Sequence, residues 1–280
     1  MSAPDIPWWF GLLSGSGRGE SMSDPFESSR LKIDRAKHHL AELESIISSL
    51  PNIYTATVEI DPNGGHEVLK HDLPNRDKIV DDIALVLGDA IHNLHCALDH
   101  AWVSVLTKLC PASINNQTKF PIFPIRKQVE AALRGVEIHS AAPALFDCVL
   151  DEIKPYSGGN ESIWSIHILD VDDKHRLLLP VIEFASIQGI EVENEHGKVV
   201  PGATWGTAQK PPYYVPIESG WHFKNKGKVT FSVLFDEGPR FQFADIRDML
   251  WAFVMHTLIA VQSLENVICT ELARRDKIGA

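Results

Sequence analysis

Three long stretches of the chain carry apolar residues at spacings of three and four, which is the period of an amphipathic helix. The first covers about 27–50 and ends at Pro51, the second covers about 76–109 and is closed by Pro111, and the third covers about 243–274. In the second stretch, apolar positions occupy more than half of the helix circumference. We therefore expect this helix to be buried in a bundle.

A different pattern, with alternating apolar and polar residues, predicts strands in two places. Residues 54–60 alternate and are followed by the turn sequence Asp-Pro-Asn-Gly-Gly at 61–65, which predicts a small hairpin. Residues of about 181–238 form a second, β-rich stretch, which we interpret as an insertion. Short helices are expected near 126–133, 143–150 and 161–170.

The order of these elements predicts one α+β domain over 24–280, a helical bundle of three long helices with a hairpin and a β-rich insertion. Helices at both ends of the chain have to pair around the long central one, so two independent domains are not expected. Residues 1–23 are rich in Gly and Ser and predict a flexible tail. Its apolar part, 7–13, is short and lacks a preceding basic region, which disfavours a secretory signal. Whether this tail docks on anything stays open.

The charge balance and the cysteines exclude several classes of protein. With 26 Lys and Arg against 37 Asp and Glu, the net charge is −11, which argues against a general nucleic-acid coat and an anionic-membrane binder. The four cysteines form no CxxC pair, so a thiolate zinc site is disfavoured and a reducing, cytoplasmic location fits. Apolar runs stay shorter than about 18 residues, so no membrane span is expected. Partners stay open, a homo-oligomer among them.

Polar residues interrupt the apolar surface of the second long helix along one strip. Asp89, His92, Cys96 and Asp99 fall on that strip, with His95 beside it. Because the helix is otherwise largely apolar, we expect these groups to be partly buried and to have polar partners.

A second polar run lies between two apolar stretches. It holds six ionisable residues in seven positions, Asp170, Asp172, Asp173, Lys174, His175 and Arg176. A solvated helix end is the usual role of such a run. Alternatively, Lys174 or Arg176 turns inward and complements Asp89 or Asp99. The first helix adds Arg35, His38 and His39 at helical spacings.

The two polar runs resemble the signature of a group of bacterial hypothetical proteins, G-[DE]-x-x-H-N-L-R-x-x-L-D and D-x-x-K-H-R. The matching positions are Gly88, Asp89, His92, Asn93, Leu94, Leu98, Asp99, Asp170, Lys174, His175 and Arg176. This chain departs from the pattern at His95, where the signature has arginine, so an anion-binding role is not carried over to that position. The group has no established activity, and the resemblance therefore implies a site but no reaction.

Three functions are compatible with these residues, and we favour a structural polar core that serves an interaction protein. In this interpretation hydrogen bonds and an ion pair tie the long helix to the second polar run. The core residues would be His92, Asn93, Asp99, Lys174, His175 and Arg176, with Asp89, Arg35 and Asp170 as further structural groups. No cofactor is expected.

The first alternative is a metal-independent hydrolase of RNA or another phosphodiester. His92 would be the general acid or base, and Asp99 would orient it. Lys174, His175 and Arg176 would hold the phosphate.

The helical setting also has a distant similarity to HEPN-type bundles, many of which are RNA-cutting toxins or defence proteins. Their Arg-to-His spacing recurs here at Arg134 and His139, but so many arginines and histidines produce that spacing by chance.

The second alternative is a transition-metal site. His92, His95 and Asp99 would supply ligands from one helix, with His38 or His39 from the first helix. Imidazole and carboxylate groups suit zinc, iron or manganese.

Overall fold

The computed structural model describes residues 24–178, 180–202, 205–235 and 244–279, and it confirms the α+β class. Helix α1 spans Glu27–Ile53 and so ends three residues later than predicted. Helix α2 spans Arg76–Leu109, the bounds that the sequence predicts. The last helix, α7, spans Ile246–Gly279 and so begins later and ends later than predicted. The predicted tail and the first position of the predicted last helix, 243, lie outside the described residues.

The shorter elements complete the fold. The remaining helices are α3 (Arg126–Gly135), α4 (Ile138–Ala141), α5 (Pro143–Asp147) and α6 (Glu161–Asp173), with a 3-10 turn at Pro111–Ser113 and a π-helical turn at Cys148–Ile153. The strands are β1 (Thr55–Ile60), β2 (Glu67–Asp72), β3 (Pro180–Asn194), β4 (Val199–Pro201), β5 (Trp205–Gln209), β6 (Tyr213–Pro216), β7 (Trp221–Phe235) and β8 (Ala244–Asp245).

Two predicted helix ends are wrong. Helix α1 continues through Pro51 to Ile53, because a proline removes only its own N–H and the last turn still closes through a 3.1 Å bond from the Tyr54 amide to the Leu50 carbonyl. The predicted helix 143–150 is split, since α5 ends at Asp147 and a π-helical turn continues to Ile153.

The strands form two antiparallel sheets. The smaller sheet has the order β1-β2-β6, so the hairpin takes its third strand from the β-rich stretch. The larger sheet has the order β4-β3-β7-β8, and β5 also pairs with β3. Its long central pair runs from Pro180 opposite Phe235 to Asn194 opposite Trp221. The β-rich stretch is therefore shared between both sheets.

The main apolar core lies among the long helices and reaches the base of the larger sheet. It includes Leu43 of α1, Leu94 of α2, Leu250 of α7 and Val233 of β7. A second, smaller core lies between the two sheets and consists of Leu69, Phe184, Ile187, Ile190, Val215 and Val229.

His71 is fully buried beside the second core. Neither ring nitrogen has a hydrogen-bond partner, and the ring lies near Tyr54 and Phe184 at centroid distances of 6.3 and 6.2 Å. Burial lowers the pKa of His71 to about 4, so the imidazole is neutral at pH 7.

Helix α7 contains a long apolar segment. Its segment Ile246–Arg275 is long and apolar enough, by length and composition alone, to cross a membrane, with a mean hydropathy of 1.4. Core helices of soluble proteins share these properties, and 39% of the most apolar window is buried against the rest of the chain. The expectation that the chain does not enter a membrane therefore stays a prediction.

Helix α2 is held between two antiparallel neighbours. Ser29 of α1 donates a 2.7 Å hydrogen bond to the Ala97 carbonyl, which fixes the register of α1 along α2. On another side of α2, Asp170 of α6 lies opposite His92, and His167 lies opposite His95. This register brings the two polar runs together.

Candidate functional site

A single buried carboxylate, that of Asp170, is the centre of the polar cluster. Its side chain is only 1% exposed, yet it contacts the Nδ1 atom of His92 at 2.7 Å and the Nζ atom of Lys174 at 2.5 Å. The Nδ1 atom of His95 lies 3.3 Å away. Burial alone would raise the pKa of Asp170, but the hydrogen bonds from Lys174 and His92 hold it below its usual value. Asp170 is therefore ionised at neutral pH.

The ionised carboxylate determines which nitrogen of His92 carries the proton. An ionised carboxylate only accepts hydrogen bonds, so the Nδ1 atom of His92 has to donate. The Nε2 atom then keeps its lone pair in the neutral ring, and the Sγ atom of Cys96 lies 3.4 Å from it. Because the His92 side chain is 49% exposed, a molecule in solution can approach this ring while its other side stays fixed to Asp170.

Behind His92, the buried imidazole of His95 and the half-buried imidazole of His167 extend the network. The Nε2 atom of His95 lies 3.2 Å from the Nδ1 atom of His167, and the rings stack at a centroid distance of 5.4 Å. With His95 donating from Nδ1 to Asp170, His167 donates to the Nε2 atom of His95. Burial lowers the pKa of His95, and burial together with His95 lowers the pKa of His167 to about 4. Both rings are neutral at pH 7.

Two lysines flank the exposed edge of the cluster. The Lys174 side chain is 48% exposed and holds Asp170 from one turn further along α6. Lys32 of α1 points its Nζ atom at the side-chain oxygen of Asn93, at 3.4 Å. The two lysines thus place positive charge beside the carboxylates of Asp170, Asp89 and Asp173.

Gly88 of α2 lies against the end of the Asp173 side chain of α6. A Cβ atom at this position would lie 2.5–2.7 Å from the carboxyl atoms of Asp173, so that carboxyl group would have to move. Burial, together with the Asp170 and Asp89 carboxylates, raises the pKa of Asp173. Because Asp173 is only half-buried, a larger residue at position 88 would displace its carboxyl group and would not separate the helices.

Asp99 does not orient His92, contrary to the sequence hypothesis. Its Oδ1 atom accepts a 2.8 Å hydrogen bond from the Phe120 amide, and its Oδ2 atom is 3.8 Å from the Nδ1 atom of His95. It therefore fixes the extended segment after α2, while Asp170 takes the orienting role. The reason is tertiary, since the sequence does not say which carboxylate α6 turns toward α2.

The other predicted residues lie around the cluster and not within it. His175 and Arg176 are exposed, and Arg176 lies 3.6 Å from Asp172. Asp89 is exposed, and its backbone carbonyl accepts a 2.8 Å hydrogen bond from Asn93. Arg35 is exposed on α1. Of the two candidates Lys174 and Arg176, only Lys174 contacts a carboxylate of the cluster, that of Asp170.

The donors of the metal alternative are not gathered at one point. Within the described residues, no group of three or more His, Cys, Asp or Glu side chains is arranged to hold a metal ion. The antiparallel register of α1 and α2 places His39 about five residues of α2, or about 8 Å, from the level of His92. His38 is exposed and contacts the Asp34 carbonyl of its own helix at 2.7 Å.

His167 belongs to the cluster but was missed at the level of sequence. It precedes Asp170 by three positions and Lys174 by seven, which places all three on one face of α6. The spacing of these three residues is visible in the sequence. The sequence does not show, however, that this face of α6 packs against α2.

A pocket of about 500 Å³ lies at the far end of α2, lined by Pro74, Arg76, Lys78 and Pro211 among others. It is more than ten residues of helix away from His92 and does not involve the cluster.

No family model, curated protein or solved structure matches this chain. The resemblance to the bacterial signature accordingly stays a prediction.

Proposed function

We propose that the chain is a metal-independent phosphodiester hydrolase in which His92 is the general acid–base group. The observation that carries the proposal is the 2.7 Å contact between the half-exposed His92 ring and the buried carboxylate of Asp170. General acid–base catalysis needs a histidine that is oriented on one nitrogen and can exchange a proton on the other. In His92 the other nitrogen, Nε2, contacts the Cys96 thiol at 3.4 Å, so a substrate hydroxyl group would have to displace this contact. HEPN-like character, a bacterial defence or toxin context and a cytoplasmic location belong to this proposal.

The reaction we propose is the cleavage of RNA by its own 2′-hydroxyl group. The Nε2 atom of His92 takes the proton of the 2′-hydroxyl, whose oxygen attacks the phosphorus. The bond from phosphorus to the 5′ oxygen breaks, and that oxygen takes a proton from the Lys174 ammonium group. A cyclic phosphate and a free 5′-hydroxyl result, and no metal or cofactor takes part.

Positive charge near His92 supports an anionic substrate. Lys174 contacts Asp170, the partner of His92, and Lys32 contacts Asn93, the next residue of α2. In the proposed reaction these two cations stabilise the extra charge that develops on the phosphoryl oxygens. His175 and Arg176, exposed just after α6, would contact the chain of phosphates further from the cleaved bond.

The experiment is a cleavage assay with a fluorescent single-stranded RNA, and with a DNA of the same sequence, in the presence of EDTA. Wild type should cut the RNA, and His92→Ala should lose about 10²- to 10⁴-fold in rate. His139→Ala is the matched control, since this histidine is exposed on α4, away from the cluster. An RNA that stays intact with wild type, or equal cutting by His92→Ala, would contradict the proposal.

The second candidate function is the structural polar core, favoured by the near-complete burial of Asp170 between two helices. Here the cluster only fixes the register of α2 and α6, and the chain acts through its surface as an interaction protein. The two candidates differ at His92, because a purely structural histidine changes stability and a catalytic one changes a rate.

A further inference from the structure

The outward face of α7 carries an apolar strip that is partly exposed to solvent. Ala252, Met255 and Ile259 are exposed at spacings of three and four, with Met255 49% and Ile259 57% exposed. Trp251 and Leu258, both half-buried, border them. We call these five residues the outer strip. Contiguous apolar surface of this kind is usually covered by a partner or by another part of the chain.

The described chain begins beside this strip. Arg30 of α1 joins Asp24, the first described residue, to Glu265 of α7, and both contacts are 2.7 Å long. Glu265 in turn accepts a 3.2 Å hydrogen bond from Gln262, which is exposed one turn beyond Ile259. Residues 1–23 are therefore tethered within about two turns of the outer strip.

The tethered segment has the composition and the reach to cover the strip. Residues 7–13 read Pro-Trp-Trp-Phe-Gly-Leu-Leu, and six of the seven are apolar or aromatic. Fourteen residues lie between Trp9 and Asp24, and an extended chain over the fifteen residue steps spans about 50 Å. The distance along α7 from Glu265 to Trp251 is 14 residues, or about 21 Å.

We propose that residues 7–13 dock on the outer strip of α7. Two apolar surfaces of one chain, each otherwise in water, would then be buried together, and tethering keeps the local concentration of the segment high. This inference does not depend on the proposed hydrolase activity. A second copy of the chain and a lipid bilayer are the competing occupants of the strip.

The test is hydrogen–deuterium exchange of the full-length chain, read by mass spectrometry at residues 7–13. We expect these amides to exchange about tenfold or more slowly than in an unstructured peptide. Ile259→Asp should abolish this protection. Ile60→Asp should leave it unchanged, because Ile60 is an equally exposed isoleucine, 62% against 57%, on strand β1.

A second variant guards against misfolding of α7. Trp9→Asp leaves the folded body untouched and should expose Met255, so that hydrogen peroxide oxidises its thioether faster than in wild type. Unprotected amides at 7–13 in wild type would overturn the proposal. A dimer that Ile259→Asp dissociates, or flotation of wild type with lipid vesicles that Ile259→Asp abolishes, would overturn it in favour of the corresponding competitor.

Discussion

The Nδ1 atom of His92 lies 2.7 Å from a carboxylate oxygen of Asp170, a residue of another helix whose side chain is 1% exposed. The pair joins a ring that solvent reaches to an anion that solvent does not reach. This difference in exposure gives the two residues different roles. Asp170 fixes the cluster, and His92 exposes about half of its side chain to solvent.

Asp170→Asn should lower the free energy of unfolding by about 2–3 kcal/mol, the range for charged hydrogen bonds that lose their partner. The amide cannot accept from both His92 and Lys174 with the strength of a carboxylate. Urea unfolding measures the change. Asp172→Asn is the control, since its contact with Arg176 is long and exposed, and we expect a loss below about 0.5 kcal/mol. Equal effects of the two variants would mean that Asp170 is not the hub.

His92→Ala should cost little stability, about 1 kcal/mol or less, because the ring is half exposed and Lys174 still satisfies the carboxylate. The same change should remove the proposed activity. Thermal unfolding and the cleavage assay, run on one preparation, separate the two effects. A large loss of stability would favour the purely structural candidate.

Stability should fall as the pH is lowered from about 6.5 toward 4. Burial depresses the pKa of His71 and of His167 to about 4, whereas the unfolded chain binds these protons near the ordinary value of 6.5. The unfolded state therefore takes up more protons in this window, and acid favours it. The urea midpoint measured across this range checks the slope.

His71→Leu should make that pH slope shallower, because it removes one group that must stay neutral to remain buried. It also removes two ring nitrogens that have no hydrogen-bond partner, so stability at pH 7 should not decrease. An unchanged slope in this variant would show that His71 is protonated in the folded state or that it titrates normally.

Below about pH 4, Asp170 adds a second loss of stability. Its folded pKa lies below the ordinary 3.8, so its contribution is complete above that value and is lost as the pH falls through the folded pKa. In Asp170→Asn this acid-side loss should be absent while the slope due to His71 remains. Identical acid curves for the variant and wild type would refute the low pKa.

Gly88→Ala should change the free energy of unfolding by less than about 1 kcal/mol, because the helix propensity gained by alanine offsets the cost of moving the Asp173 side chain. The new methyl group would displace the Asp173 carboxyl atoms, which lie 2.5–2.7 Å from its position. In an Asp173→Ala background the same change should stabilise the chain by about 1 kcal/mol, and a double-mutant cycle measures the difference. Simple additivity of the two changes would contradict the predicted contact.

The sequence was most informative where a local pattern decides the structure. Helix α2 has its predicted bounds because its apolar period is long and Pro111 follows it. The same periodicity placed His92 and His95 on the polar side. The prediction that α1 ends at Pro51 was wrong, because a proline near a helix end costs one hydrogen bond and does not stop the next residues from completing the turn.

The partners within the site were harder to predict, because they depend on how helices pair. Asp99 and Asp170 both lie in the polar runs, and either carboxylate was a candidate to contact a histidine. Only the antiparallel register of α2 and α6 makes Asp170 the partner of His92. For the same reason His167 went unnoticed. His175 and Arg176 are exposed, as in the solvated helix end that such a run usually forms, and not in the polar core to which we also assigned them.

The most direct test of this account is the tautomer of the His92 ring, read from the nitrogen chemical shifts of ¹⁵N-histidine-labelled protein above the pH at which the ring is protonated. The account predicts a proton on Nδ1, donated to Asp170, and an unprotonated Nε2 atom, with the preference lost in Asp170→Asn. A proton on Nε2 in wild type would contradict the proposed general base and leave the cluster with a structural role only.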